Sequence, residues 1–229
     1  MRVNSWTHAY RTVGHRMGLF GRIACNGGSS IQQIAAAWLT TTGNGKADVE
    51  LRVRDVMDRA AAVNHDVELA DVHAIFRHGG PNPGADPSKL GALRQRVNLP
   101  PSYAEFLTYC DGWTGLDGQT DLFPISELLD GPATEEAWVI VEAYDEGSGW
   151  QFGLSRDRYL VIGAAESNLS IVLLDLALPP RVCWLTQGGV EEFPALDALV
   201  ATATEYNLET LSALRADPWL GISDDAGTR

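Results

Sequence analysis

The chain reads as an α+β protein, an antiparallel-dominated sheet with helices packed on one face, preceded by a helical N-terminal extension. Three observations predict this class. First, YLVIGA, SIVLLDL and RVCWLT are apolar runs of strand length separated by AAESN and ALPP, which is strand, turn, strand, turn, strand. Second, apolar residues recur at helical spacing on both sides of that block, at Tyr103, Phe106, Leu107 and Cys110 before it and at Leu196, Leu199, Val200 and Ala203 after it. Third, helices gathered before and after a run of strands fit layers around an antiparallel sheet better than alternating βα units.

Taken in order, residues 1–29 show no periodicity and end in NGGSS, so they are expected to form a poorly ordered N-terminal extension, with Met17 an alternative start. Residues 30–78 read as a helical N-terminal segment. Ile31, Ile34, Ala35 and Trp38 share one helical face. Val49, Val53, Val56, Met57 and Ala60 share another, whose back carries Glu50–Arg54, Arg54–Asp58 and Asp55–Arg59 at i,i+4. A third short helix is expected over Leu69–Arg77. Residues 79–87, GGPNPGADP, cannot continue a helix and read as a linker. Residues 88–97 are a further helix. Ser102 and Glu105 have capping-box spacing after Pro100 and Pro101, and Gly112 is placed to end the helix that follows. LFPISELL is a short strand entering a turn, and EEAWVIVEAY is a helix by its spacing. Leu208, Leu211 and Leu214 continue or restart the last helix, so the domain spans 88–215, with 216–229 a C-terminal tail.

Charge is unevenly spread over the 229 residues, whose formal net charge is −13. Residues 1–99 hold 12 basic and 8 acidic side chains, a net +4, and residues 100–229 hold 5 and 22, a net −17. A nucleic-acid binder needs a basic footprint, which the larger part lacks. The acidic excess serves solubility or steers a basic partner. No apolar run reaches the ~18 residues of a membrane span, and MGLFGRIAC is too short for a signal peptide, so a cytoplasmic protein is expected. Cys25, Cys110 and Cys183 are scattered, with no CxxC pair.

No catalytic pattern stands out in the sequence. There is no G-x-S-x-G elbow and no Gly-rich phosphate cradle followed by Lys. His73 and His78 are five apart, the wrong spacing for one helix face, so no metal site is expected. DGWTGLDGQTD has Trp and Gly where an EF-hand loop needs oxygen ligands. Paired acids such as Glu135–Glu136 read as solvated surface. Trp113 and Trp150 lie in Gly-rich loops among acids. Each is either a lid on the core edge or a protein-binding hot spot.

The stretch LPPSYAEFLTYCDGW resembles the signature of the SUKH superfamily, which includes fungal Smi/Knr-type cell-wall regulators and bacterial toxin-immunity proteins. The matching pieces are Leu99-Pro100, Tyr103, Phe106-Leu107 and Asp111-Gly112. Leu122-Phe123-Pro124-Ile125, Val161-Ile162-Gly163, Leu173-Leu174-Asp175-Leu176 and Phe193 follow in the same order, so the likeness covers about residues 86–215. Asp111 stands where Asn is commoner. The resemblance implies a SUKH-like α+β domain without catalysis or cofactor. It implies an immunity protein that binds and neutralises a bacterial polymorphic toxin, such as a basic nuclease, through an acidic surface. A regulatory scaffold with housekeeping partners and a small-molecule enzyme are the alternatives. Leu99, Pro100, Tyr103, Phe106, Leu107 and Gly112 are then scaffold. The partner-binding candidates are Asp111, Trp113, Asp117, Asp121, Asp145, Glu146, Trp150, Glu191 and Glu192.

Overall fold

Two long helices and a five-stranded meander account for most of the core. The structure, a computed structural model, describes residues 46–71, 77–128, 131–147, 154–165, 169–177, 181–186 and 189–216, and within these all side chains except those of 46–51 and 144–147. The extension 1–29, the helix expected from Ser30 and the tail after Ala216 lie outside these residues. Residues from Lys46 onward form one compact unit. Among the described residues the order is α1 (Lys46–Ala70), α2 (Pro87–Arg96), α3 (Pro101–Tyr109), β1 (Asp121–Leu122), α4 (Pro132–Gly147), β2 (Tyr159–Ala165), β3 (Ser170–Asp175), β4 (Arg181–Thr186), β5 (Gly189–Phe193) and α5 (Leu196–Ala216). No helix among them is long and apolar enough to cross a membrane.

The sheet is antiparallel throughout, with spatial order β1-β2-β3-β4-β5. This is the α+β architecture expected, with the three apolar runs as β2, β3 and β4. All six residues of β3 are buried, so the centre of the sheet is covered on both faces. The face carrying Trp184 meets α5, where the Trp184 and Tyr206 rings lie 6.1 Å apart. The helix α4 packs against β2 and β3. A β-bulge at Ile162 shifts the register between Val161 and Gly163.

The helix α1 runs unbroken to Ala70, longer than its apolar spacing suggested. The break expected before Leu69 does not occur, because Val67 is buried against Leu211 and Leu214 of α5. Val53, Met57 and Ala60 join the same core as the sheet. Of the i,i+4 pairs expected on α1, Glu50–Arg54 lies outside the described side chains, and the described arginines take longer-range partners. Arg59 bonds Glu205 of α5 at 2.9 Å, and the Arg54 guanidinium lies 5.9 Å from the Tyr109 ring centroid.

The segment 79–87 is irregular, as its prolines require, but its backbone is tied down. Gly79 N donates to Thr114 O, Asn82 N to Gly112 O and Ala85 N to Leu107 O, at 3.0, 3.0 and 2.8 Å. A Cβ at Gly84 would stand 2.0 Å from Thr108 O, so only glycine permits this approach.

The capping box does not form. The N-cap of α3 is Pro100, with no side-chain cap bond, and the helix starts at Pro101. Two prolines contribute no N–H, so a cap from Ser102 has less to satisfy. The buried stripe is as expected, with Tyr103, Phe106, Leu107 and Cys110 all in the core. Cys110, in extended conformation, ends the helix instead of Gly112. Gly112 (φ +88°) serves a close approach, since its Cβ would lie 2.8 Å from Pro124 N, while Asp111 Oδ1 accepts from Ile125 N at 2.7 Å.

Candidate protein-docking site

The nine side chains marked for partner binding divide sharply once placed. Trp113 is fully buried and its Nε1 donates to Gly79 O at 3.1 Å, so it is core and offers a partner nothing. Asp111, Asp117 and Asp121 are half-buried, and each accepts from backbone N–H groups of its own neighbourhood. Asp117 Oδ1 takes Gln119 N and Thr120 N at 3.1 and 2.6 Å, and Asp121 Oδ1 takes Gly115 N at 2.6 Å. These carboxylates shape the loop, as Asp does in tight turns. Asp145 and Glu146 belong to the last turn of α4, but their side chains lie outside the described set, as does the whole of Trp150.

Glu191 and Glu192 sit on β5, a strand that the apolar runs of the sequence left unassigned. Glu192 is exposed and ion-paired, its Oε2 2.6 Å from the Arg181 guanidinium. Arg181 also reaches Asp175, whose fully buried carboxylate accepts from Arg158 at 2.8 Å and from Ala177 N at 2.9 Å. The Arg158 hydrogen bond is the main cause holding the Asp175 carboxyl below its ordinary range. Glu191 is different. It is half-buried, burial pushes its pKa up, and no cation pairs with it among the described residues.

The fold brings two of the predicted acids to one place. Tyr206, on α5, stands over Trp184, and Glu191 lies directly opposite Trp184 in the β4–β5 ladder, hence on the same face. Burial, then Glu191, Glu209 and Asp117, push the Tyr206 hydroxyl up to about 12. Three carboxylates, from β5, α5 and the 114–121 loop, therefore act on one phenol. No Lys or Arg is paired with any of them among the described residues. The arrangement is too open for a metal, since no three His, Cys, Asp or Glu of the described residues could hold one.

What places Asp117 there is a buried amide pair. Asn207, one residue beyond Tyr206, donates through Nδ2 to Leu116 O at 2.8 Å and to Asn64 Oδ1 at 2.6 Å. Asn64 of α1 donates in turn to Gly79 O, Gly115 O and Leu116 O, at 3.0, 3.2 and 3.2 Å. His78 lies buried beside this pair, hydrogen-bonded to Asn207, and burial lowers its pKa. A loop that enters a helix interface needs such donors for its carbonyls.

Sequence reasoning missed Tyr206, Glu209 and the two asparagines. Tyr206 and Glu209 share a helix face at i,i+3, a visible spacing, but nothing local tells that the face meets β5. No profile of a known protein family matches the chain, and no curated protein matches it.

Proposed function

We propose that the chain is a protein-binding module for a basic partner, acting as an immunity protein of SUKH type that holds a toxin inactive in a stoichiometric complex. The observation that carries the reading is that the carboxylates of Asp117, Glu191 and Glu209 all act on Tyr206, with no Lys or Arg paired to any of them among the described residues. Like charges gathered without a counter-cation repel one another, and a Lys or Arg from a partner relieves that cost on binding. The net −17 of residues 100–229 adds long-range steering toward a positive surface, which raises association rates by about 10–10³. A nuclease toxin offers such a surface because its substrate is a polyanion. Binding is favoured over cysteine chemistry by the two described thiols. Burial pushes Cys110 up to about 12 and Cys183 up to about 11, the opposite of an activated nucleophile.

The test is co-expression with the polypeptide encoded immediately upstream of this chain. The expected result is a 1:1 complex in size-exclusion chromatography and restored growth of cells carrying that polypeptide. Absence of both overturns the immunity reading.

A further inference from the structure

The sheet has two edges, and the described residues occupy only one. Beyond β1, the bridges Trp113–Leu122 and Pro81–Trp113 extend the pairing, with Trp113 N to Leu122 O at 2.9 Å and Leu122 N to Trp113 O at 2.8 Å. At the other end, all five residues of β5 pair inward with β4, and among the described residues no other backbone–backbone hydrogen bond involves 189–193, although Gly189 O also accepts from Thr186 Oγ1 at 3.4 Å. Alternate N–H and C=O groups of β5 therefore face outward with no strand beside them.

Exposed edges are ordinarily protected by solvated charges. Glu192 fits that role, being exposed and paired with Arg181. Glu191 does not, because it is half-buried and lacks a cation. A second observation marks the same spot. Trp184, opposite Glu191, is only 6% exposed, and its indole Nε1 is buried with no hydrogen-bond acceptor. A buried donor unmet among the described residues, on the residue paired with a half-buried carboxylate, is costly for a structure that gains nothing from it.

We infer that the outer edge of β5 is a strand-addition dock for an extended basic segment of the partner, with one Lys or Arg anchored on Glu191. This rests on the binding reading above and names where and how the partner attaches. The charge pattern selects the occupant. A second copy of β5 paired antiparallel about its centre would set Glu191 against Glu191, and like charges directly opposite destabilise a ladder. A strand with Lys or Arg at that position meets Glu191 with the opposite sign, while Tyr206 and Glu209 stand close by on α5.

Hydrogen exchange on the full chain tests this with a six-residue alternating Lys–Val peptide as probe and an alternating Glu–Val peptide as control. The Lys–Val peptide alone should slow exchange at alternate amides of residues 189–193. Glu191→Lys should weaken its binding about tenfold or more while the unfolding temperature does not fall. Glu136→Lys, the same charge change on exposed α4, should leave binding within about twofold. If Glu191→Lys does not fold, Glu191→Gln replaces it and should weaken binding in the same direction. Absence of protection at 189–193 overturns the dock. Equal losses from the β5 and α4 reversals overturn it in favour of unspecific attraction. Concentration-dependent self-association that protects the same amides makes a second copy the occupant and also overturns it. A toxin that binds while protecting other amides sinks the dock alone, whereas a toxin that fails to bind sinks the reading beneath it.

Discussion

Phe106 is 3% exposed, and its ring stacks on Tyr103 with centroids 6.0 Å apart. Truncation to Phe106→Ala should cost about 3–5 kcal/mol, read as a lowered denaturant midpoint. Glu191 has the opposite character. Its folded pKa is raised, so ionising it costs stability, and that cost is absent at low pH and grows as pH rises through the ordinary carboxyl range. Glu191→Gln should therefore stabilise the protein at pH 7, by no more than about 1 kcal/mol, and lose that advantage near pH 4 in parallel urea titrations. A side chain retained against stability in this way fits a role in binding.

Among elements, the α1–α5 pair depends on polar contacts as much as on its apolar seam. Asn207→Leu removes the donor to Leu116 O and Asn64 Oδ1, and should destabilise by about 2–3 kcal/mol while releasing the loop that carries Asp117. Faster amide exchange over 114–121, ahead of global unfolding, is the signature to measure. His78 makes this junction acid-sensitive. Burial lowers its folded pKa although Asp117, Asp71 and Glu68 pull the other way, so the native state holds it neutral. The stability it contributes is present above its unfolded pKa of about 6.5 and is lost as pH falls below that value. His78→Gln should flatten the stability profile between pH 7.5 and 5.5. An unchanged slope would exclude His78 as its source.

At the scale of the whole molecule, α1 is a structural part of the fold and not an appendage. Val53, Met57 and Ala60 share the sheet's core, and Val67 closes over Leu211 and Leu214. A fragment starting at residue 79 would expose that surface of α5 and leave the Leu116 carbonyl and Asn207 without Asn64. It should lose cooperative unfolding by near-ultraviolet circular dichroism, whereas a fragment from Lys46 should keep it. The Pro- and Gly-rich segment suggested a linker because composition reports only that a stretch is not helical. Its hydrogen bonds to residues 107, 112 and 114 are non-local and leave no such trace.

Local rules were enough for much of this protein. Apolar runs and turn residues named β2, β3 and β4, and the 3.6-residue spacing named α3, α4 and α5. Each of these depends on neighbours within a few positions. The site was different. Trp113 in a glycine-rich loop looks like an exposed anchor until tertiary packing buries it, and Asp111, Asp117 and Asp121 look like free charges until their backbone donors are seen. Two consecutive glutamates on β5 are alike in sequence, yet cross-strand register gives Glu192 to Arg181 and sets Glu191 beside Trp184 and Tyr206. Register, burial and the approach of distant helices act between residues far apart in the chain, so only the folded structure could decide which acids serve the fold and which are left without a cation among the described residues.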